Sequence, residues 1–260
     1  MPNILDRRHV STLAHFAASN VLIAFDFDGT LSAITPTPQR ARMRASTRRL
    51  LRAVAERYPC VVISGRRRAD VARRMASVPL WHIAGNHGVE PWGEKEIYAT
   101  RVREWAGPLK ARLATHKGVV LEDKTYSLTV HYRRARHKAR AVKAITDAVH
   151  GLRGARIMGG HYAINLVPRG APHKGIALER LRSLLVCDTI IYVGDDDTDE
   201  DAFRAGAPDR LLAVRVGVKR NSGARHWLRS QADVDRFLLT LLSMRPLRYP
   251  QPSPGRADAR

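Results

Sequence analysis

Residues 21–31 read VLIAFDFDGTL, an apolar run that ends in two aspartates, a glycine and a threonine. Five consecutive apolar residues are typical of a strand that is buried on both faces, as in a parallel sheet. Four more short apolar runs lie along the chain, at 60–64 (CVVIS), 81–84 (WHIA), 189–193 (TIIYV) and 211–216 (LLAVRV). Helical patterns accompany them, at 10–18, 44–57 and 232–242. This alternation predicts βαβ units and therefore an α/β fold with a Rossmann-like parallel-sheet core.

The middle of the chain follows a different pattern. Helical spacing and strand-like alternation succeed one another at 101–115, 119–123, 127–132, 135–150 and 155–167, the last being a hairpin that we expect to turn at Gly159-Gly160. The order αββαββ predicts a small α+β cap domain inserted into the core. We expect the core to span 1–97 and 168–245, the cap to span 98–167, and the Pro- and Arg-rich tail 246–260 to be disordered.

Composition limits the class of protein. The apolar fraction of 44% in 260 residues is that of a globular chain and excludes a wholly disordered one. Two cysteines exclude a disulfide-stapled secreted scaffold and fit a reducing compartment. No apolar stretch approaches the roughly 20 residues that span a bilayer. We therefore expect no membrane association and a cytoplasmic location.

The chain is strongly basic, with 45 Lys and Arg against 24 Asp and Glu and a net charge of +21. One interpretation is a module that binds nucleic acid through this charge. The other is a basic surface that attracts small anionic substrates. The arginines are spread over many elements, as is typical of solvated side chains on helix faces. We therefore do not expect nucleic acid to be the main partner.

Polar clusters follow the apolar runs, at Asp26/Asp28/Thr30, Ser64/Arg66, Asn86/His87 and Asp195/Asp196/Asp199. The carboxyl ends of parallel strands meet at one edge of the sheet, where sites in such folds form. Carboxylates from two distant segments would repel each other there. Mg²⁺ prefers oxygen ligands and would neutralise them, together with the positive charge of Lys174. Taken alone, the first cluster also fits a turn, and the last cluster also fits the acidic start of a helix. A purely structural explanation is harder when both acidic clusters directly follow an apolar strand.

These segments resemble the motifs of the haloacid dehalogenase superfamily of phosphotransferases. DFDGTL at 26–31 resembles the first motif, Ser64 the second, Lys174 the third, and GDD at 194–196 with Asp199 the fourth. The insertion resembles the C2 type of cap. Within the superfamily the chain resembles the trehalose-6-phosphate phosphatase family, on the segments SGR (64–66), GNHGVE (85–90), EDK (122–124), HYR (131–133) and GDDDTDED (194–201).

The resemblance implies an Mg²⁺-dependent hydrolase that splits trehalose 6-phosphate through an aspartyl-phosphate. Asp26 would be the nucleophile and Asp28 the general acid and base, because a carboxylate can attack phosphorus and a second one can move the proton. Asp199 would orient Lys174 or a metal-bound water. The metal would be held by Asp26, Asp195 and the carbonyl of Asp28.

The resemblance also implies two groups of binding residues. Phosphate would be bound by Thr30, Ser64, Gly65 and Lys174. Substrate would be bound by Arg66, Asn86, His87, Glu90, Glu122, Lys124, His131, Arg133 and Asn165. Strand periodicity agrees in the cap, since it places Glu122 with Lys124 on one face. It also places Thr129, His131 and Arg133 on one face, opposite the apolar Leu128, Val130 and Tyr132.

One residue departs from the family pattern. Asn165 stands where the family has a glutamate, in the last strand of the cap. A neutral amide still hydrogen-bonds hydroxyl groups, so the exact sugar is less determined than the reaction. The alternatives are a phosphatase for another phosphorylated sugar or for a glycosyl-glycerate phosphate. We expect a monomer, with a trehalose-6-phosphate synthase as a functional partner.

Overall fold

The computed structural model of the chain describes residues 1–35, 37–92 and 95–245, so the expected tail at 246–260 lies outside the described residues. The strands within these ranges are β1 (Val21–Phe25), β2 (Cys60–Ile63), β3 (His82–Ala84), β4 (Val120–Asp123), β5 (Leu128–His131), β6 (Ala155–Gly160), β7 (Ala163–Pro168), β8 (Thr189–Gly194), β9 (Leu211–Val216) and β10 (His226–Leu228). The helices are α1 (Val10–Ala18), α2 (Ala45–Ala55), α3 (Arg68–Met75), α4 (Lys95–Leu113), α5 (Lys138–Val149), α6 (Lys174–Leu184), α7 (Glu200–Phe203) and α8 (Gln231–Met244).

Six strands form a parallel sheet in the order β10-β9-β8-β1-β2-β3. The chain builds the sheet outward from β1 in one direction and later from β8 in the other. The point of reversal therefore lies between β1 and β8. Ligand sites in open α/β sheets form at the carboxyl ends of the strands at such a point.

Both faces of this sheet are covered, as the unbroken apolar runs predict. Val21, Ile23 and Phe25 point into an apolar cluster that includes side chains of α1, α2 and α8. Leu22 and Ala24 point the other way, into a cluster shared with α6 and α7. A strand with apolar neighbours on both sides carries no polar alternation. The predicted parallel α/β core is confirmed.

The second sheet is antiparallel, in the order β4-β5-β7-β6. One face packs against α4 and α5 through a cluster that includes Val102, Trp105, Leu128, Val130 and Ile145. The sheet and its two helices occur in the predicted αββαββ order. Its other face is polar and borders a cavity above the parallel sheet.

The hairpin of β6 and β7 corrects one expectation. Gly159 and Gly160 belong to β6 and pair with β7, so the predicted turn at these glycines is wrong. The chain reverses at His161 and Tyr162, where Tyr162 has a φ of 57°. The glycines serve close packing instead, because a Cβ on Gly160 would lie 3.2 Å from Oδ2 of Asp196 in the core.

Two short elements have weak sequence signals and were not predicted. In α3 the buried apolar residues are Val71 and Met75 alone, among charged neighbours. β10 has three residues and forms one edge of the sheet. In addition, α4 begins at Lys95, six residues before its predicted start. Within the ranges given above, no helix combines the length and apolar composition that crossing a membrane requires.

Candidate active site

A cavity of about 690 Å³ lies between the carboxyl ends of the core strands and the polar face of the antiparallel sheet. Most of the predicted site residues line it. They are Asp26, Asp28, Ser64, Gly65, Arg66, His87, Glu122, Lys124, His131, Arg133, Asn165, Lys174 and Asp195. The topology thus gathers residues from five core segments and from three cap strands or their ends around one space.

Lys174 lies at the floor of the cavity and joins two carboxylates. Its Nζ is 3.0 Å from Oδ1 of Asp26 and 2.6 Å from Oδ1 of Asp199. Burial alone would lower the pKa of Lys174, but the charges and hydrogen bonds of Asp199 and Asp26 outweigh it and raise that pKa. The ammonium group therefore stays charged. Asp26 follows β1 directly and is anchored by its backbone N–H, which donates to the carbonyl of Val193 at 2.9 Å.

Asp199 supports this floor without lining the cavity. Its Oδ1 accepts hydrogen bonds from Lys174 and from the hydroxyl of Tyr192, each at 2.6 Å. Its Oδ2 accepts from the backbone N–H groups of Asp195 and Asp196, at 3.0 and 2.9 Å. Four donors use the acceptor capacity of the carboxylate. Of the two predicted roles, the geometry therefore favours orienting Lys174.

Tyr192 is a site residue that the sequence analysis missed. It is completely buried in β8 and its hydroxyl bonds to Asp199. Its phenol stands among apolar neighbours in TIIYV. A buried phenol needs a hydrogen-bond partner, and this was the available signal.

The acidic residues of the floor form a candidate metal centre. Asp26, Asp195 and Asp199 each have one carboxylate oxygen in this centre, and the three oxygens lie within 4.8 Å of one another. Burial, with repulsion from the neighbouring carboxylates, raises the pKa of Asp26 to about 7 and that of Asp195 well above its usual range. Because the oxygens of Asp199 are already engaged, Asp26 and Asp195 are the residues with oxygens left to bind a cation. A buried, repelling set of carboxylate oxygens fits the preference of Mg²⁺.

Thr30 belongs to this centre through Asp195. Its hydroxyl donates to Oδ1 of Asp195 at 2.9 Å, and Thr30 itself is completely buried. It does not line the cavity. The structure therefore places Thr30 against a carboxylate, although the sequence analysis expected a phosphate contact.

Asp28 is held by Arg66 at the edge of the cavity. Nε and Nη2 of Arg66 bond to the two carboxylate oxygens of Asp28 at 2.6 and 2.7 Å. Nη1 of Arg66 bonds to Asp70 at 2.8 Å, and Nη2 also donates to the carbonyl of Pro38 at 2.7 Å. Burial would lower the pKa of Arg66, but the bonds to both carboxylates outweigh it and raise that pKa. Arg66, which was predicted to bind substrate, lines the cavity, and in this structure its guanidinium clamps Asp28.

The cap contributes a group of linked charges. Oε2 of Glu122 is 2.7 Å from Nε2 of His131 and 4.0 Å from Nζ of Lys124. Burial would raise the pKa of Glu122, but the bond to His131 and the charge of Lys124 hold it below its usual value. Nζ of Lys124 also donates to the carbonyl of Gly65 at 3.0 Å. Lys124 therefore links the cap to the segment at the end of β2.

Asn165 faces the cavity with its side chain partly engaged. Its Oδ1 accepts a hydrogen bond from the hydroxyl of Thr129 at 2.8 Å, and its Nδ2 donates to the carbonyl of Gly159 at 3.4 Å. Arg133 lies toward the rim, with its guanidinium 5.3 Å from the ring centre of Tyr162. These contacts leave part of the Asn165 amide for a ligand.

His87 presents an unsatisfied imidazole to the same cavity. It is 4% exposed, and neither ring nitrogen has a hydrogen-bond partner in the described part of the chain. Burial lowers the pKa of His87 well below its usual value, and the charges of Lys124, Lys174 and Arg156 lower it further. The neutral ring offers one donor and one acceptor.

Asn86 and Glu90 lie beside His87 but do not line the cavity. Asn86 donates to Oε2 of Glu90 at 2.8 Å and accepts from the hydroxyl of Ser127 at 2.9 Å. Glu90 also accepts from the backbone N–H of Arg68 at 2.7 Å. Both were predicted to bind substrate, whereas the structure uses them to support the segment that carries His87.

The arrangement agrees with a comparison against protein families. The sequence profile described as trehalose-phosphatase matches residues 24–233. The chain belongs to this family. Trehalose-phosphate phosphatase of Mycobacterium avium (strain 104) is 37% identical over 220 residues, covering 79% of this chain and 56% of that protein. The chain thus spans about half the length of the curated relatives it matches.

Solved structures agree on the fold. The C-terminal domain of Candida albicans trehalose-6-phosphate phosphatase superposes with a TM-score of 0.78 at 23% identity, covering 94% of this chain and 98% of that one. Aspergillus fumigatus trehalose-6-phosphate phosphatase superposes with a TM-score of 0.62 at 25% identity, covering 94% and 99%. Both of these structures therefore share the fold of this chain.

Proposed function

We propose that this chain hydrolyses trehalose 6-phosphate to trehalose and phosphate. The observation that carries the proposal is the buried Asp26–Lys174–Asp199 cluster at the ends of β1 and β8, beneath the polar face of the cap. Its acids and its one cation match the needs of phosphoryl transfer. Family membership and the named relative of Mycobacterium avium support the choice of substrate.

In the first step, a carboxylate oxygen of Asp26 attacks phosphorus and the bond from phosphorus to the sugar oxygen breaks. Asp28 enters this step with a proton on one carboxyl oxygen, which replaces one of the two bonds from Arg66. It donates that proton to the departing sugar oxygen, so trehalose leaves as a neutral alcohol. The product on the protein is an aspartyl-phosphate on Asp26. Lys174, 3.0 Å from Asp26, stabilises negative charge on the phosphoryl oxygens.

In the second step, water attacks the phosphorus of the aspartyl-phosphate. Asp28, now a carboxylate, accepts a proton from that water, and Asp26 leaves with its electron pair. Ser64 supports phosphate binding, since its Oγ accepts from the N–H of Arg66 at 3.2 Å and its own hydrogen is left to donate. Splitting the reaction in this way replaces one difficult displacement by two easier ones.

Mg²⁺ would be held by Asp26, Asp195 and the carbonyl of Asp28. When bound, it supplies Lewis-acid stabilisation of the phosphoryl oxygens and cancels repulsion among the carboxylates. The proposal includes the cap: residues 98–167 would form a domain that closes over the bound sugar. Direct contacts between core and cap support it, from Arg67 to the carbonyl of Asp123 at 2.6 Å and from Arg156 to Asp201 at 2.5 Å.

His87 and the Glu122–His131–Lys124 group would bind the sugar. A neutral imidazole that donates once and accepts once suits a hydroxyl group, which does the same. Without a ligand, a buried imidazole with no partner costs free energy. The unsatisfied ring thus supports a polar ligand in the cavity.

Phosphate release from trehalose 6-phosphate, with Mg²⁺ and with excess EDTA, tests the proposal. Asp26→Asn should lower turnover more than about a thousandfold, as losing a covalent nucleophile does. Asp209→Asn is the matched control, because Asp209 is exposed and outside the cavity. Full activity in EDTA, or substantial activity of Asp26→Asn, contradicts the mechanism.

Asn165 favours a second candidate, a phosphatase for another phosphorylated sugar or a glycosyl-glycerate phosphate. A substrate panel at equal concentrations separates the two. A kcat/KM that is higher for any other sugar phosphate than for trehalose 6-phosphate moves that candidate ahead. The cytoplasmic location, the monomeric state and the synthase partner stay predictions.

A further inference from the structure

A second cavity, of about 340 Å³, lies beside the active-site cavity. It opens between α2, α3 and the segment that leads into α2. The described residues that line it are Gln39, Ala41, Arg42, Met43, Arg48, Asp70, Arg73 and Arg74. Four of these eight are arginines and one is an acid, so positive charge is concentrated around a concave space.

The one carboxylate, Asp70, is fully shared. Its Oδ2 accepts from Arg66 at 2.8 Å and from Arg74 at 3.1 Å, and its Oδ1 accepts from Arg73 at 3.2 Å. Burial would raise the pKa of Asp70, but the guanidinium groups of Arg74 and Arg66 hold it below its usual value. Asp70 therefore cannot also neutralise the rest of the cavity.

The other arginines have no acidic partner in the described ranges. Arg48 donates to neutral acceptors, the carbonyl of Arg74 at 3.1 Å and the hydroxyl of Ser77 at 2.9 Å. The side chain of Arg42 has neither a hydrogen bond nor an ion pair within those ranges. Four guanidinium charges thus surround the cavity against one shared carboxylate. The like charges of these groups repel one another, and more strongly where they are partly shielded from water.

We propose that this cavity is an anion site, separate from the catalytic one, and that it binds inorganic phosphate. Guanidinium groups present paired N–H donors that match the oxygens of phosphate. Gln39, Asp70, Arg73 and Arg74 line both cavities, so the site shares a wall with the place where phosphate is released. The choice of phosphate among anions rests on the proposed function, whereas the charge imbalance does not.

The site also has a short route to the catalytic acid. Asp70 bonds to Arg74 at the second cavity and to Arg66, and Arg66 clamps Asp28. An anion that engages Arg73 and Arg74 would compete with Asp70 for the same donors. Arg73 and Arg74 would therefore link anion binding to Asp70 and Arg66, in addition to contributing to the basic charge of the surface.

Calorimetric titration with inorganic phosphate tests the proposal, in EDTA and at roughly 0.15 M chloride, where unspecific attraction is screened. Without a cation, the carboxylates of the catalytic floor repel phosphate, so the titration measures phosphate binding at the second cavity. The wild-type chain should bind one phosphate. Arg42→Glu and Arg73→Glu should each weaken this binding at least about tenfold, because each reverses a charge beside a dianion.

Two variants serve as controls. Arg49→Glu makes the same charge change on an exposed residue of α2 outside the cavity, and it should bind phosphate as the wild type does. Lys174→Ala removes the phosphate ligand of the catalytic site and should also leave this binding in place. Circular dichroism melts establish that each variant is folded.

The proposal would be overturned by no saturable binding to the wild type, by loss of binding in Lys174→Ala, or by unchanged binding in both Arg42→Glu and Arg73→Glu. Equal weakening by Arg49→Glu would reduce the effect to net charge and would also overturn it. The titration involves no turnover. A chain that fails to hydrolyse trehalose 6-phosphate but binds phosphate here contradicts the proposed function alone.

Discussion

Removing Mg²⁺ should destabilise this chain far more at pH 8 than at pH 5. Burial and neighbouring carboxylates raise the pKa of Asp26 from 3.8 to about 7. At ~1.4 kcal/mol per pH unit, a rise of about three units corresponds to about 4 kcal/mol of folding free energy. For a chain of this size, that is a shift of roughly 10 °C in Tm. Bound Mg²⁺ would offset most of this loss of stability.

The sign follows from proton binding. Between about pH 4 and pH 7, Asp26 in the cation-free folded chain keeps a proton that the unfolded chain has released. Stability therefore falls as pH rises through this window, and the loss is complete above pH 7. Asp195, whose pKa is also raised by burial and by Asp26, acts in the same direction. Mg²⁺ adds little at pH 5, where protons already neutralise the centre.

Buried histidines give an opposite background. Burial lowers the pKa of His87, His173 and His226. These groups favour the folded chain increasingly as pH rises toward their unfolded pKa of about 6.5. The raw pH profile of Tm therefore mixes both effects. The difference between Mg²⁺ and EDTA at each pH isolates the carboxylates, because the histidines are the same in both arms.

Scanning fluorimetry from pH 5 to pH 8, in Mg²⁺ and in EDTA, measures this difference directly. Asp26→Asn removes the charge that creates it, so its cation-free Tm should fall less with pH and its gain from Mg²⁺ should shrink. Asp209→Asn should behave as the wild type. A gain from Mg²⁺ that is equal at pH 5 and pH 8, or unaltered by Asp26→Asn, would refute the assignment of a metal centre to these acids.

Three further predictions concern kinetics. Arg66→Lys loses the two-bond clamp on Asp28 and should slow hydrolysis of the sugar phosphate about ten- to a hundredfold. An activated aryl phosphate needs no protonation of its leaving group, so its stopped-flow burst should keep its rate. A burst that is slowed equally contradicts the acid role of Asp28. Glu122→Ala should lower kcat/KM for the sugar phosphate about ten- to a hundredfold and spare aryl phosphate, and equal losses would remove Glu122 from sugar recognition. Gly160→Ala places a Cβ 2.9 Å from a cap amide nitrogen and should raise KM for the sugar phosphate, whereas Gly107→Ala, with nothing within 4 Å, should not.

The fold was predictable where residue type alone fixes the environment. Residues 21–25 contain no polar side chain, so a strand there has to be covered on both faces. The same holds for 190–193, where the phenol of Tyr192 is the one polar group and needs a partner. Because parallel strands align their carboxyl ends, the acids that follow each run had to meet. The floor of the site therefore follows from pattern and topology together.

The remaining details depend on where long side chains reach. The sequence singles out Arg66 by its place after a strand, but nothing in the sequence shows that its guanidinium reaches back to clamp Asp28. The role of Gly159 and Gly160 was also hidden, because a glycine pair is as typical of a turn as of close packing. Only the approach of the hairpin to Asp196 separates the two.

The resemblance implies a glutamate where this chain has Asn165, and under the proposed function this difference would change how the cap binds the sugar. A glutamate would bring a full charge to this point of the cavity. Asn165 instead uses one acceptor on Thr129 and one donor on Gly159, so it can offer a ligand only what remains of its amide. Under the proposed function, the charged contact to the sugar would come from Glu122, whose pKa the bond to His131 and the charge of Lys124 hold below its usual value. Substrate selectivity of this chain should therefore depend more on Glu122 than on the strand that carries Asn165, and the ratio of sugar to aryl activity in Glu122→Ala and Asn165→Ala measures that division.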